Sequence, residues 1–345
     1  MQGYKWRHYW LIVVVYISMQ GCGIRLLHPI STHNVVNTAD TLFYSVGSKK
    51  YVVDSARALI NNKVSAGMSV EGNTMYLPVI ELFVGMNQID LQVNCKNGQV
   101  FKKSFSYFVV SDVVPERKVL KVVNILPHDT SAFTQGLYFK DGLLYESTGL
   151  KGQSRLRSLN PLTGNCLTDV KIDTCFFGEG IVVDDDDTLW QLTWQDSLLV
   201  KYDLLFNEQD RISYPFEGWG LTSSNNCLLA SDGSNRLYFF SPEPFKVLST
   251  VDVINNVGPV HLLNELEMVG DYLWANVLDK DEIVVIDVIS GKVVKVIDGG
   301  NFIDRSQHPE AGALNGIAWD KESGRVYITG KNWPCINVCL PFFEE

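Results

Sequence analysis

The chain has 345 residues and a formal net charge of −10, so it has room for more than one domain with its own core. The acidic balance argues against a nucleic-acid-binding protein, which would need a clustered basic face. The sequence contains no Walker loop, no His-Glu-x-x-His and no paired Cys-x-x-Cys motif, so it does not indicate nucleotide or zinc chemistry.

Residues 1–21 have the organisation of a secretory signal peptide. Lys5 and Arg7 form a positive head, and residues 10–17 form an apolar core too short to span a bilayer. Gly21 followed by Cys22 is similar to a bacterial lipobox, in which the cysteine is lipidated and becomes the mature N-terminus. The alternative is a plain secretory signal that is cleaved nearby. Both interpretations predict an exported protein, and the first predicts a periplasmic or outer-membrane lipoprotein held on the membrane by its lipid anchor.

Residues 22–34 are predicted to be a tether after the lipidated cysteine, and residues 35–112 a separate small domain. Short alternating runs, such as residues 75–79 and 89–93, are separated by Gly, Asn and Lys turns. This pattern predicts an immunoglobulin-like β-sandwich. The domain has no recognisable chemistry, which favours a spacer or docking role. Residues 113–118 are predicted to be a linker.

Residues 119–345 contain five hairpins of the same type, each opened by a short motif with glycine or leucine. The hairpins cover residues 134–148, 178–194, 218–232, 264–276 and 315–331. They recur about every 40–50 residues, which is the period of a four-stranded propeller blade. We therefore predict an all-β protein with a five-bladed β-propeller as its larger domain.

The start of the first strand and the end of the second lie at the same end of a hairpin. A closed ring of hairpins therefore brings two sets of residues to one face near the axis. The first set is Gln135, Glu179, Trp219, Asn264 and Asn315, and the second includes Glu146, Trp194, Asp232, Asn276 and Lys331. Different residue types at equivalent positions are what a single asymmetric pocket needs, although ordinary sequence drift would also produce them.

Two other features have open or simple interpretations. The run of four aspartates at residues 184–187 lies in a hairpin turn and lacks the spaced ligands of a calcium loop, which favours a solvated turn. Besides Cys22, six cysteines remain, and they could form disulfides in an oxidising compartment or stay as buried thiols.

From residue 119 to about residue 338, the sequence resembles the glutamine cyclotransferase family of plant and bacterial type, motif by motif and in order. The motifs include Ala132-Phe133-Thr134-Gln135-Gly136-Leu137, Phe177-Gly178-Glu179-Gly180, Gln191-Leu192-Thr193-Trp194, Glu217-Gly218-Trp219-Gly220-Leu221, Leu263-Asn264-Glu265, Asn315-Gly316-Ile317 and Thr329-Gly330-Lys331-Asn332-Trp333-Pro334. The family's proteins are five-bladed propellers that convert an N-terminal glutamine of a peptide to pyroglutamate and release ammonia.

The resemblance implies that Glu179 is the acid/base and that the pocket is formed by Phe133, Gln135, Trp194, Trp219, Asn264 and Lys331. The chemistry of the reaction further predicts that Lys331 or Asn264 stabilises the developing oxyanion. Asn315, a member of the first set, is also predicted to bind substrate. Leu278 departs from the family, which usually has Trp there, and this favours a flatter or wider pocket wall. No metal or cofactor is required, and a cation in the central channel would be structural.

Two rival functions remain open at this point. One is a non-catalytic cell-surface propeller that binds peptide N-termini or another small ligand. The other is a propeller hydrolase or lactonase, which would need a carboxylate cluster that holds calcium. If Glu179 is not the acid/base, Glu146 and Glu265 are the next candidates.

Overall fold

A computed structural model describes residues 24–26, 35–37, 40–46, 50–224 and 227–341. The predicted signal peptide, the predicted lipidation site Cys22 and most of the predicted tether lie outside these residues. The chain divides between Val109 and Val110 into two compact units. Within the described residues, no helix is both long and apolar enough to cross a membrane.

The first unit consists of two β-sheets. Its strands are β1 (Ile24–Leu26), β2 (Val35–Asn37), β3 (Thr41–Val46), β4 (Val53–Ile60), β5 (Lys63–Val64), β6 (Ser69–Glu71), β7 (Thr74–Pro78), β8 (Gly85–Cys95) and β9 (Val100–Val110), with a 3-10 helix at Val79–Glu81. One sheet has the order β1-β3-β7-β6 and the other β2-β9-β8-β4-β5. Part of the predicted tether is thus a strand, because β1 pairs with β3.

A single core joins the two sheets of the first unit. Buried residues alternate with exposed or half-buried ones along β3, β7 and β8, as in strands with one face on a core. Leu42, Leu77 and Ile89 are among its fully buried members. The alternation that predicted strands at residues 75–79 and 89–93 therefore has its physical cause in this core.

The second unit contains the five hairpin repeats and consists of five sheets. Its strands are β10 (Glu116–Lys118), β11 (Lys121–Pro127), β12 (Thr134–Lys140), β13 (Leu143–Thr148), β14 (Arg155–Leu159), β15 (Cys166–Lys171), β16 (Gly178–Val183), β17 (Leu189–Thr193), β18 (Leu198–Tyr202), β19 (Glu208–Ser213), β20 (Leu221–Ser224), β21 (Cys227–Ser231), β22 (Arg236–Pro242), β23 (Phe245–Asp252), β24 (Leu263–Val269), β25 (Tyr272–Val277), β26 (Glu282–Asp287), β27 (Lys292–Asp298), β28 (Leu314–Asp320), β29 (Arg325–Gly330) and β30 (Cys335–Leu340). The sheet orders are β12-β13-β14-β15, β16-β17-β18-β19, β20-β21-β22-β23, β10-β27-β26-β25-β24 and β11-β30-β29-β28.

All five predicted hairpins form as antiparallel strand pairs, namely β12–β13, β16–β17, β20–β21, β24–β25 and β28–β29. The first strands lie next to one another in chain order, and β28 in turn contacts β12, so the sheets form a closed cycle. Strand β11, which precedes the first hairpin, pairs with the last strand β30 and joins the two ends of this unit. The predicted linker contains β10, which pairs in parallel with β27 and is therefore an added edge strand rather than a free connection.

Glycines allow the first strands to approach closely. A Cβ on Gly180 would lie 2.4 Å from the Leu221 backbone nitrogen, and one on Gly220 would lie 2.0 Å from the Asn264 carbonyl oxygen. Real Cβ atoms do not tolerate such distances to backbone, so any other residue would force the sheets apart. The glycines of the repeated motif thus serve packing around the axis.

The six cysteines of the described chain are all unpaired.

Candidate functional site

The strands that form the ring are bulged where the repeated motif lies. Antiparallel pairing shifts register between Thr134 and Gly136, Gly178 and Ile181, Leu263 and Leu266, and Leu314 and Ile317. Each shift removes one or two residues from the regular ladder and re-aims their side chains, as β-bulges do. The residues removed include Gln135, Glu179, Asn264 and Asn315. Four of the five residues of the predicted first set therefore owe their orientation to bulges, whereas Trp219 precedes β20, whose pairing with β21 shows no register shift.

These bulges border a cavity of about 240 Å³ at one end of the ring. Its lining consists of Phe133, Gln135, Phe177, Glu179, Trp194, Trp219, Asn264, Leu278 and Lys331. Seven of the eight predicted catalytic and substrate-binding residues are thus brought together, and Asn315 is not part of the lining. We call this cavity the aromatic pocket.

Glu179 is the carboxylate of the aromatic pocket. Its side chain is buried, and one carboxyl oxygen accepts a hydrogen bond from Gln135 Nε2 at 3.1 Å. Burial raises the pKa of the Glu179 carboxyl well above its ordinary value, the positive charge of Lys331 opposes this rise, and the negative charge of Glu217 adds to it. A raised pKa brings a carboxyl closer to neutral pH, where a group that both accepts and donates a proton works best.

Lys331 supplies a cation to the same cavity. Its ammonium lies 4.9 Å from the centroid of the Phe133 ring, and only 7% of the residue is exposed. Burial lowers the pKa of this lysine, while Glu179 opposes the shift. Among the described residues no carboxylate lies within the 4.0 Å ion-pair distance of its Nζ, so the charge is open to a ligand.

Asn315 acts on the pocket through Gln135. Its Nδ2 donates to the Gln135 Oε1 at 3.2 Å and to the Thr134 carbonyl at 3.0 Å. Because Gln135 Oε1 is held in this way, its Nε2 is directed at Glu179. Asn315 was predicted from the sequence to bind substrate, whereas the structure places it behind Gln135 as a support.

Two polar atoms of the pocket residues have no hydrogen-bond partner within the described residues. They are the indole Nε1 of Trp219 and the Oδ1 of Asn264, and both are buried. A buried donor or acceptor without a partner costs free energy in the empty pocket. A substrate that offered a carbonyl to Trp219 and an N–H to Asn264 would satisfy both atoms.

Phe177 lies in the pocket but was not predicted to be a site residue. Its ring meets Trp194 edge-on at 5.5 Å and Phe133 at 6.2 Å between centroids, so the three form one aromatic wall. The signal was in the repeat, since Phe177 stands two residues before Glu179 as Phe133 stands two residues before Gln135. Leu278, the departure from the family pattern, also lines the cavity.

The alternative acid/base candidates are engaged elsewhere. Burial alone would raise the pKa of Glu146, but His128 at 2.9 Å, the Thr134 hydroxyl at 2.7 Å and Arg157 hold it below its ordinary value. Glu265 accepts the Ile317 backbone N–H at 2.9 Å, and burial together with Glu267 raises the pKa of its carboxyl. Neither residue lines the aromatic pocket.

Two members of the second predicted set also have local partners. Asp232 accepts hydrogen bonds from the Ser234 backbone N–H at 2.9 Å and from the Tyr238 hydroxyl at 2.9 Å. Asn276 accepts the Gly316 N–H at 3.0 Å. Only Trp194 and Lys331 of that set line the pocket, so equivalent positions in the repeat differ in whether they face the cavity.

The run of aspartates forms a closed turn. Asp184 accepts the backbone N–H groups of Asp186 and Thr188, each at 2.9 Å, and the Trp190 indole N–H at 2.7 Å. These hydrogen bonds account for the geometry of the turn. The turn lies outside the aromatic pocket.

Comparison with known proteins agrees with the resemblance seen in the motifs. Residues 98–339 match the family model described as glutamine cyclotransferase. A glutaminyl-peptide cyclotransferase from Arabidopsis thaliana is 37% identical over 221 residues, which is 62% of this chain and 69% of that protein. The match to the crystal structure of Myxococcus xanthus glutaminyl cyclase has 35% sequence identity and a TM-score of 0.60. It covers 65% of this chain and 97% of the Myxococcus chain. The family match begins in the turn before β9, earlier than the motifs at residue 119 suggested.

Proposed function

This chain belongs to the glutamine cyclotransferase family, and from that premise we propose which residues carry its activity. The activity is the conversion of an N-terminal glutamine of a peptide or protein to pyroglutamate with release of ammonia. We propose that the reaction takes place in the aromatic pocket, with Glu179 as the acid/base. The observation that carries this proposal is a buried carboxyl with a raised pKa inside an aromatic cavity that also holds a cation.

The substrate brings both reacting groups, the α-amine as nucleophile and the γ-carboxamide carbon as electrophile. The first task of the pocket is to hold the glutamine side chain curled, with these atoms about 3–3.5 Å apart. Phe133, Phe177 and Trp194 form a continuous wall that supports this role. The same wall excludes water from the reacting atoms.

Glu179 then moves one proton in two steps. As the amine attacks the carboxamide carbon, the carboxylate takes a proton from the amine and the ring C–N bond forms. The carboxyl next gives this proton to the amide nitrogen, the old C–N bond breaks, and ammonia leaves. Gln135 holds the carboxyl in place through its 3.1 Å hydrogen bond.

Negative charge develops on the amide oxygen during the attack. The Lys331 ammonium, unpaired in the described chain and enclosed by the pocket, is suited to stabilise it, since a charge in a water-poor site acts more strongly. The Asn264 side chain, an amide that lines the same cavity, is the second group suited to stabilise this oxygen. Neither step requires a metal, and a structural cation in the central channel remains a separate prediction.

We further propose that the second unit is a five-bladed β-propeller and the first an immunoglobulin-like sandwich. Five sheets whose first strands follow one another in a closed cycle support the propeller. Two β-sheets with one shared core support the sandwich. The sandwich is then a spacer or docking module, and the chemistry belongs to the propeller.

We also propose that the protein is exported and anchored through a lipid on Cys22. The support is the order of charged head, apolar core and Gly21-Cys22 in the sequence. With a lipid anchor, Cys22→Ala should move the protein from the membrane fraction to the soluble fraction of its host cell. An unchanged distribution would argue for plain secretion or another anchor.

The function itself is tested with purified protein and peptides that begin with glutamine. Ammonia release, measured by a coupled assay, should be matched by the loss of one ammonia from the peptide mass. Peptides that begin with asparagine or with acetylated glutamine are controls, since the first alters ring size and the second removes the nucleophile. Tight binding of the glutamine peptides without ammonia release would instead favour the rival non-catalytic binding protein.

A further inference from the structure

A second cavity of about 240 Å³ lies beside the aromatic pocket. Its lining includes Thr148, Gly149, Gln153, Arg155, Arg157 and Lys171, and we call it the basic cavity. All three charged residues that line it are cations. The described acid/base mechanism uses none of them.

Gly149 connects the two cavities, because it lines the basic cavity and contacts residues that line the aromatic pocket. Its N–H donates to the Phe133 carbonyl at 2.8 Å, and a Cβ at this position would lie 2.4 Å from the Phe177 ring. The same glycine lines the basic cavity. An extended peptide advances about 3.3–3.6 Å per residue, so one whose first residue fills the aromatic pocket can reach the basic cavity with its second or third residue.

The three cations of the basic cavity differ in how well they are paired with carboxylates. Arg155 and Lys171 are directly opposite each other in the register of β14 and β15, an arrangement that is unfavourable for like charges. Asp169 serves both arginines, at 2.8 Å from Arg155 and 3.6 Å from Arg157. No carboxylate in the described part of the chain lies within 4.0 Å of Lys171 Nζ.

Arg157 is the buried cation of the basic cavity. The residue is 6% exposed, and its buried Nε has no hydrogen-bond partner within the described residues. Its Nη1 is 3.0 Å from Asp129 and 3.7 Å from Glu146, which also pairs with His128. Asp129, Glu146 and Asp169 thus surround this arginine, which leaves Lys171 as the cation of the basic cavity without a carboxylate partner among the described residues.

We propose that the basic cavity is a substrate subsite that binds a carboxylate carried by the second or third residue of the peptide. This inference rests on the proposed function, because it assumes that the N-terminal glutamine occupies the aromatic pocket. The carboxylate can belong to an Asp or Glu side chain or to the C-terminus of a short peptide. The preferred substrates are then glutamine peptides with an acidic group close to the N-terminus.

The test compares peptides that differ only in this charge. The effect of a side-chain carboxylate is measured with C-terminally amidated Gln-Ala-Glu-Ala and Gln-Glu-Ala-Ala, each compared with the neutral peptide in which Gln replaces Glu. The effect of a terminal carboxylate is measured with Gln-Ala-Ala that has a free or an amidated C-terminus. We expect kcat/KM for the acidic member to be about fivefold higher at low salt, mainly through KM, as for a partly exposed ion pair. The preference should shrink in about 0.5 M salt, which shortens the Debye length.

Variants of Lys171 assign the effect to the basic cavity. Lys171→Gln should remove most of the preference and leave kcat/KM for neutral peptides unchanged, while Lys171→Glu should reverse it in favour of basic peptides. Lys246→Gln is the matched control, because Lys246 is an exposed lysine on the outermost strand β23 of another sheet. Equal kcat/KM for acidic and neutral peptides, or a preference that survives Lys171→Glu, would overturn the subsite.

Failure of the proposed function gives a different result. In that case no glutamine peptide releases ammonia, whatever its charge. Calorimetric binding of the same peptides then decides the subsite alone. Tighter binding of the acidic peptides that is lost in Lys171→Gln supports it, and equal binding refutes it.

Discussion

Replacement of Glu179 by glutamine is the most direct perturbation of the proposed site. The side chain is 4% exposed and accepts a hydrogen bond from Gln135 Nε2 at 3.1 Å. A glutamine at this position has the same size and retains an oxygen that can accept this hydrogen bond. The change therefore removes the proton shuttle and leaves the shape of the pocket.

The expected loss is about 10²-fold to 10⁴-fold in kcat, which is the usual contribution of a positioned acid/base. At about 1.36 kcal/mol per factor of ten, this equals about 2.7–5.4 kcal/mol in the activation barrier. Because Phe133, Phe177 and Trp194 hold the substrate, KM should change far less than kcat. A coupled ammonia assay over a range of peptide concentrations separates the two constants.

The pH dependence gives a second measurement on the same variant. Burial raises the pKa of Glu179, so wild-type activity should fall on acidification with a midpoint above the ordinary glutamate value, and this acid limb should be absent from Glu179→Gln. The charge of Glu217 adds to the raised pKa, and Glu217 is exposed outside the pocket. Glu217→Gln is thus a matched control that should keep kcat and move the acid limb to lower pH.

The stability of Glu179→Gln should not fall together with its activity. A carboxyl whose pKa is raised by folding stabilises the folded state fully below its unfolded pKa, and this contribution is lost as pH rises through the folded pKa. Above that pH, Glu179→Gln should unfold at the same temperature as the wild type or higher. A well-folded Glu179→Gln that still cyclises at near wild-type rate would refute the assignment.

Three further predictions concern the architecture around the site. Burial raises the pKa of Glu267 to about 8, so this group stabilises the fold fully below its unfolded pKa of about 4.3 and loses that effect as pH rises through about 8. The melting temperature of Glu267→Gln should therefore depend less on pH in that window than the melting temperature of the wild type. An unchanged pH dependence of the melting temperature would contradict this. Gly180→Ala places a Cβ 2.4 Å from the Leu221 backbone and should destabilise by about 1–3 kcal/mol or more, whereas Gly300→Ala, whose nearest contact is a side-chain oxygen at 3.2 Å, should change the melting temperature little. A protein that starts at Val110 keeps all five sheets and should fold and cyclise like the full mature chain, and its failure in an ammonia assay would show that the first unit completes the site.

The sequence by itself determined the repeated part of the structure. Five hairpins at a regular spacing could be recognised because each obeys local rules, with a turn between two β-rich runs and a glycine where strands approach closely. The same regularity identified equivalent positions, and the residues that differ among them, such as Glu179 and Lys331, were the candidates for a pocket. The family resemblance added the chemistry that these residue types perform.

Tertiary structure decided which of the equivalent residues share the pocket. The bulge at Gly178–Ile181 directs Glu179 into the cavity, and a register shift depends on pairing with the neighbouring strand rather than on local propensity. Glu146 and Asn315 occupy equally promising sequence positions, yet one is paired with His128 and the other supports Gln135. Hydrogen-bond partners that are far apart in sequence make this separation, so only the folded ring distinguishes a residue that contacts substrate from one that holds another in place.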